Sequence, residues 1–564
     1  DDSLVTVIGA AAFEKANGLR RLVLPVSVQE VMSEAFRECR ELTSVEFAEG
    51  VISMTVSKDA FAGCMKLTEI VLPSTMSEFP AEVINNTESI RSIVVPASSP
   101  YFVADGTAIY SKDNTELYYY SRSATFENGV FKAKDSVTRI HANVFSENRN
   151  IKKVVIGKNI EQIDDYAFAN MPRLVEIEFE EGTKPLNFGV GVFSGNAGIT
   201  TFAFPERAAT IGEEMFKGSM ITSISIGKSI VSIGDYAFKD CTMLTTINFA
   251  PDGALENIGK YAFNGAGITS VTFPDSLLTI GASAFGKVSS LVSVEFSATS
   301  KIKVIEQQAF EYTSITSVYL PATLEEVGQY VFRRCEKLAV VTVEKGIKLA
   351  GFNVGMFSYT AIKEIEIPNT MTYVGTSAFA NCASLEKVTF EEGGTEDLVI
   401  GWNPSAKKNV GMSFNQCTAL TSVHLPSRLV ELGSSTFNNA KKLSEVTFVD
   451  KAEEGKDPEP SRLVKIGSSA FASACFATID IPDTVETIET NAFKGNTKLK
   501  SIEIPASVLN KPRTGTGKQI VGLGTSVFEG CTALTTAKFN DNSSAEGMEL
   551  GITFSDKLFY GCPS

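Results

Sequence analysis

A chain of 564 residues with 51 Lys and Arg against 66 Asp and Glu carries a formal charge of 51 − 66 = −15. That field disfavours nucleic acid, whose affinity rests on cationic contacts to phosphate, and anionic membrane surfaces; no run of about 18 apolar residues exists, so no membrane-spanning helix is expected. With 2 His and 1 Trp in the whole chain, chemistry built on paired imidazoles has almost no material.

The chain opens on DDSLVTV, which lacks the basic-then-apolar pattern of a signal peptide and reads as a processed mature end or a boundary within a longer chain. One phenylalanine per turn then indexes the sequence: Phe13, Phe36, Phe61, Phe145, Phe168, Phe193, Phe216, Phe238, Phe263, Phe285, Phe310, Phe332, Phe357, Phe379, Phe414, Phe437, Phe471, Phe493, Phe528 and Phe559, which makes 20 turns. A degenerate further turn, FPAEVI, puts Ile84 at that position. Between Ile221 and Val343 the repetition is plainest, with units starting at Ile221, Leu244, Ile268, Leu291, Ile315 and Leu338 in steps of 23 and 24 residues. A fixed period of this size marks a solenoid in which each turn buries its apolar face against its neighbours. One long array is therefore expected rather than several globular domains.

Phe spacing in the central part alternates between 22 and 25, as in 238 to 263 to 285, so the true repeat is a pair of turns 47 residues long. One member of the pair closes its first strand with proline and a short turn (TSVTFPDSL, TSVYLPATL); the other carries a longer acidic or Gly-containing bend (TTINFAPDGAL, IEFEEG, VTFEEGG). Such alternation predicts two unequal edges, one ragged and more acidic. Within a unit, L-x-x-I/V-x-F/I alternates near period two and predicts a short strand. The segment S-I/V-x-x-I-G predicts a second extended piece, with Gly at a bend or close backbone approach. D-Y-A-F and its variants then predict one turn of helix or 3₁₀, with Asp235 as N-cap and Ala and Phe buried. Stacked units place like strands side by side at roughly 4.8 Å, in a curved body on the order of 100 Å long.

The repeat breaks between Ile84 and Phe145. There, residues 98–128 contain two strand-like runs, Thr107 to Tyr110 and Glu116 to Tyr120, joined by Ser-Lys-Asp-Asn. A β-hairpin projecting from or capping the solenoid edge is expected, carrying Tyr101, Tyr110, Tyr118, Tyr119 and Tyr120. Residues 1–97 and 129–564 form the repeats on either side. Smaller polar insertions, expected as edge loops, fall at Asp397 to Val410 with Trp402, Asp450 to Ser461, and Asn510 to Gly522. The chain stops at FYGCPS, just after a Phe position, which predicts either further chain or a cap on that turn.

The unit L-x-S-V-x-I/F/L-P-x-S/T-L/V-x-x-I/V-G-x-x-A-F-x-x-C-x-x-L resembles the BspA-like, or Treponema pallidum-type, leucine-rich repeat. SVTFPDSLLTIGASAF and LTSVHLPSRLVELGSSTF carry the likeness, and it covers nearly the whole chain. DGTAIYSKDNTELYYYS is similar to an insertion that recurs in that family. The resemblance implies a mostly-β repeat protein, a leucine-rich-repeat solenoid or horseshoe with short strands and short helical or 3₁₀ turns. It also implies a secreted or surface-anchored protein of a host-associated microbe, with adhesins among its relatives and no catalytic motif. The longer turns after Phe379, Phe437 and Phe493 depart from the pattern.

Eight of the 9 cysteines, Cys39, Cys64, Cys241, Cys335, Cys382, Cys417, Cys531 and Cys562, lie three residues after a repeat Phe, and Cys475 lies four after. Other turns place Ala, Ser, Thr or Val there, so buried thiols are expected over disulfides, although Cys39 with Cys64, Cys382 with Cys417 and Cys531 with Cys562 sit on successive turns. Arg513 to Lys518 (RTGTGK) superficially resembles a phosphate loop, but Pro512 and Gln519 stand where that loop needs Gly and Ser or Thr. His141 and His424 are isolated and are read as surface or packing residues. Acidic turns such as EFEEGT and DKAEEGKDPEP lack the spacing of a calcium loop and are read as solvated charge. No cofactor and no metal site are expected.

What remains is the outward strand face, a ladder of hydroxyls with scattered acids and aromatics. Its candidate partner-binding residues are Thr246, Asn248, Ser270, Thr272, Glu295, Ser317, Tyr319, Glu366 and His424, with Tyr118 and Tyr120 on the hairpin. A cross-strand Ser/Thr ladder that stabilises the sheet accounts for the same residues. The function expected is a non-enzymatic extracellular or cell-surface binding or adhesion protein, monomeric, presenting a concave sheet to a protein or glycan, host-derived in the adhesin case. The alternatives are a structural spacer holding another module at the cell surface and, third, a solenoid polysaccharide-active enzyme.

Overall fold

Alternating apolar and polar residues over four positions suffice for a strand with one buried face. Ser223–Ile226 shows this, with Ile224 and Ile226 buried and Ser225 exposed. The computed structural model of the chain describes residues 4–50, 54–448, 459–509, 522–540 and 556–563. It divides into two units, Asp1–Gly267 and Ile268–Ser564, each a solenoid of stacked turns on one plan. Strands of successive turns pair in parallel with like residues adjacent, as Ile224 beside Ile247 in the first unit and Val318 beside Val341 in the second.

A second strand, of two residues in most cases, closes the other side of most described turns. Thr210–Ile211, Ser232–Ile233 and Asn257–Ile258 pair in parallel in the first unit, as do Thr279–Ile280, Val304–Ile305 and Glu326–Val327 in the second. The glycine that follows is demanded by proximity: a Cβ on Gly234 would stand 2.7 Å from the Glu213 nitrogen and 2.8 Å from the Gly212 carbonyl carbon.

The D-Y-A-F segment is a turn rather than a regular helix. Tyr236 and Asp240, two residues either side of Phe238, take left-handed φ of 57° and 59°; Gln308 and Tyr312 flank Phe310 likewise at 58° and 62°. This geometry points alternate peptide N–H groups along the stack. Tyr236, Phe238 and Asp240 donate to Lys260, Ala262 and Asn264 of the next turn, while the carbonyls of Asp235, Ala237 and Lys239 accept from Glu214, Phe216 and Gly218 of the preceding one. The expected N-cap at Asp235 is corrected accordingly: its Oδ1 accepts the Lys260 N–H of the following turn at 2.7 Å, because its own turn's donors already point there. The rings form a near-parallel column, with centroids 5.1–5.8 Å apart from Phe145 to Phe263 and 5.3–5.6 Å apart from Phe285 to Phe559.

The first-strand ladder is not continuous, contrary to expectation. In the first unit it falls into groups, including Val130–Lys132 with Lys153–Ile156 and Glu176–Phe179, then Thr201–Ala203 with Ser223–Ile226 and Thr246–Phe249. In the second, Ser270–Thr272 pairs Ser293–Glu295 and Ser317–Leu320 pairs Val340–Val343; Glu364–Ile367 begins a four-stranded group. Each of these groups outside the four-stranded one ends on a strand leading into a longer bend: Thr246 is followed by its second strand at Asn257, whereas Ser223 is followed by its own at Ser232. Bend length thus appears as a partition of the sheet, into these threes in the first unit and these pairs in the second. Acids of the longer bends are not merely solvated charge. Glu180, Glu344 and Glu391 accept the backbone N–H of Lys158, Ala322 and Asn369 in the preceding turn.

Residues 98–128 form three strands rather than two. Phe102–Asp105, Ala108–Ser111 and Glu116–Tyr120 make an antiparallel meander, and the last pairs in parallel with Arg139–Ile140. Its third strand continues the second sheet of the first unit, and Phe102–Asp105 forms the edge of that sheet. The insertion with Trp402 is likewise a hairpin and not a loop, Leu398–Asn403 against Lys408–Asn409. The insertions at Asp450 to Ser461 and Asn510 to Gly522, with Arg513 to Lys518, lie almost wholly outside the described residues.

Candidate functional site

Period-two alternation puts the predicted residues on the outer face of their strands. In the first unit Thr246 and Asn248 are exposed, beside Ser223 and Ser225. In the second, Ser270 and Thr272 lie beside Ser293 and Glu295, and Thr272 Oγ1 donates to Glu295 Oε2 at 3.2 Å. Ser317 is exposed beside Val340. Tyr319 is half-buried; burial and a hydrogen bond to Glu344 push its phenol pKa up. Glu366 is exposed beside Thr389, and the His424 Nδ1 lies 2.6 Å from Thr447 Oγ1. Breaks in the ladder gather these residues into separate groups: Ser270, Thr272 and Glu295 in one, Ser317 and Tyr319 in another, Glu366 and His424 in the four-stranded group.

Tyr118 and Tyr120 lie two residues apart on a strand whose register shifts between Leu117 and Tyr119, and they have different neighbours. Tyr118 stacks on His141 at 3.9 Å and 18°, and its hydroxyl donates to Glu116 Oε2 at 2.9 Å. The same oxygen is 2.7 Å from His141 Nε2, and Arg139 pairs with Asp164 beside it at 2.9 Å. Burial works against the Glu116 carboxylate, but the bonds from His141 and Tyr118 outweigh it and hold the pKa below the ordinary value. Tyr120 packs on Phe126, Phe131 and Phe145 at 5.2–5.8 Å. It is a half-buried packing residue rather than an outward contact, because alternation in an inserted segment does not reveal which face is covered. Tyr110 and Tyr119 are each 4% exposed and belong to the core.

The position three residues after Phe is a small buried site that Ala266, Val288 and Ala440 also fill, and where its side chain is a donor it hydrogen-bonds as well. Each of the eight cysteine Sγ atoms there donates to the Phe carbonyl of the preceding turn at 3.0–3.3 Å, as Cys241 to Phe216 and Cys335 to Phe310. Asn196 and Thr87 do the same to Phe168 and Phe61. Burial pushes the pKa of Cys64, Cys335 and Cys531 to about 12 and that of Cys241 and Cys382 to about 11, which keeps the donor proton in place.

One further feature escaped the sequence reading. A cleft of about 1170 Å³ opens in the first unit between Glu176–Phe179 and Thr201–Ala203. Its only signal in the sequence is an unusual density of phenylalanine between residues 179 and 216. Among the described residues no three or more His, Cys, Asp or Glu gather to hold a metal, and no helix is long and apolar enough to cross a membrane.

A family model described as BspA type leucine rich repeat region, in six copies, matches residues 2–108, 115–245, 209–339, 256–386, 351–396, 405–508 and 460–546. No curated protein matches. Among solved structures, a leucine-rich cell surface protein from Faecalibacterium prausnitzii is 21% identical over 79% of this chain and 97% of its own, with a TM-score of 0.33. A leucine-rich repeat protein from Bacteroides ovatus is 18% identical over 86% and 88%, also at 0.33. The leucine-rich repeat protein of T. pallidum is 15% identical over 58% and 90%, at 0.17.

Proposed function

This chain belongs to the BspA-type leucine-rich-repeat family, and from that premise we propose that it is a non-enzymatic binding protein of the cell surface or extracellular space. It acts as a monomer and presents its outward strand positions to a protein or glycan of a host. In this reading residues 98–128 are an insertion within one array, and Tyr118 with its His141 and Glu116 neighbours adds a rigid aromatic contact. The carrying observation is a division of labour along each strand: inward residues repeat from turn to turn, while exposed Thr246, Asn248, Thr272, Glu295, Glu366 and His424 differ from turn to turn. Surface placement is supported by the family. The non-enzymatic reading is supported by the fate of the reactive groups, since the eight thiols after Phe are hydrogen-bond donors to the backbone. An array of host proteins and glycans tests the proposal. We expect at least one ligand whose binding falls in Asn248→Ala or in the Glu366→Ala, His424→Ala pair; no signal above a control with scrambled outward residues would overturn it.

A further inference from the structure

In the first unit, peptide N–H groups just before each strand normally reach back to the previous turn, as Val175 to Lys152 and Thr222 to Thr200. Between these two rungs the corresponding bond, from Thr200 to Val175, is missing, and there the strands part. The break follows a longer bend, as the others do, but those in the second unit keep this bond, Thr316 to Val292 and Lys363 to Ala339; packing widens this one. Phe202 fills the inward position held by Val154, Ile177, Ile224 and Ile247 in neighbouring strands, and it meets Phe179, Phe193, Phe204 and Phe216 at 4.7–5.6 Å. A ring in place of a β-branched side chain adds volume, and a close-packed interior answers with a backbone shift.

The gap leaves a strand edge without a partner. Glu176 and Glu180 donate to Lys152 and Ile156, so by the alternation of a parallel ladder the backbone groups of Ile177 and Phe179 face the cleft. Both side chains are only half-buried, and Val175 is 57% exposed. Such an edge is a template for an added strand. The rim is acidic. Glu176 and Glu180 already face Lys153 and Lys132, Glu206 lies 3.5 Å from Lys228, and Glu181 has no ion pair among the described residues. Arg207, the one cation among the lining residues, spends its guanidinium on the carbonyls of Ile160 and Gly157.

We propose that this cleft binds an extended, basic peptide segment of a partner protein, added as a strand alongside Glu176–Phe179. An apolar side chain of the peptide rests over Phe179 and Phe202, and its Lys or Arg residues face Glu181 and Glu206. Ser223 and Ser225 line the cleft beside Thr246 and Asn248, so the site adjoins the outward ladder of the proposed function; strand addition is told apart from binding by outward side chains through its dependence on the peptide N–H groups.

The test is fluorescence anisotropy of the full chain with a labelled, acetylated and amidated peptide Lys-Thr-Val-Lys-Val-Lys-Thr. A version N-methylated at two alternate residues, which removes donors from one strand edge only, and an acidic version with Glu for Lys serve as controls. Saturable binding of the parent is expected, weakened at least about tenfold by N-methylation, as the loss of two backbone hydrogen bonds implies. Glu181→Lys with Glu206→Lys is expected to weaken it similarly. Phe202→Ile, which restores the type of residue carried by neighbouring strands, is expected to close the cleft and abolish binding with the thermal midpoint retained; if that variant does not fold, the rim pair and the N-methylated peptide still decide. Equal affinity for parent and N-methylated peptides would reduce the effect to surface charge and overturn the proposal. So would absence of parent binding, including the case in which an oligosaccharide binds the cleft instead.

Discussion

The phenylalanine column and the strand ladder run through the same turns of the first unit, yet only the column passes the cleft intact. Where the strands separate, the rings merely stretch, to 5.8 Å between Phe168 and Phe193 and 5.7 Å between Phe193 and Phe216. On the column side three N–H groups and three carbonyls per turn meet their neighbours within a segment of constant length. On the strand side the register must absorb whatever bend follows. Constant segments therefore hold the stack together, and variable ones decide where it opens.

Removing a ring strikes the constant side directly. Phe238→Ala, at a fully buried position, is expected to cost about 3–5 kcal/mol in chemical denaturation; a loss no larger than that of exposed Thr246→Ala would show that the column does not hold the turns. Next comes the hydrogen-bonding position beside it. Asn196 Nδ2 donates to the carbonyls of Phe168 and Phe193, and its Oδ1 accepts the Met171 N–H. Asn196→Ala is expected to cost about 2–3 kcal/mol through unsatisfied buried groups, with faster amide exchange at Met171; unchanged exchange there would separate this position from the column's stability.

The smallest effect is a pH dependence. The Cys335 thiol has its pKa raised from 9.0 to about 12 by burial, so the folded state favours the neutral form. Its contribution is fully present below pH 9 and is lost as pH rises from there through about 12. Wild type and Cys335→Ala are expected to run parallel below pH 9 and to converge above it in thermal unfolding. Curves that stay parallel throughout would show that the thiol proton does not matter to the carbonyl of Phe310.

Much of the fold was legible because the same residues recur at the same offsets: inward Ile and Val, the Gly of close approach, and Phe with its donor three residues later. The pairing of turns was legible too, from the alternating Phe spacing, but its consequence was not, since bend length tells nothing of which strand edges still reach each other. Asp235 looked like a cap for its own turn because local rules assume a helix, whereas left-handed Tyr236 redirects the donors. Outward residues such as Asn248 and Glu366 were legible from period two. The cleft was not, because Phe202 obeys the apolar pattern as well as Ile would and only its volume differs.

The three aligned peptides beside each phenylalanine have an electrical consequence. In an α-helix the N–H groups point toward the N-terminus and the positive pole lies there. Here the peptides ending at Tyr236, Phe238 and Asp240 point their N–H groups toward the following turn, so each stack is polarised the opposite way, positive toward its later turns. A turn spliced in or out preserves that polarity, because it offers the same donors forward and the same acceptors back. Recombination can therefore exchange the outward side chains in blocks of one repeat without facing the stack with a mismatched junction.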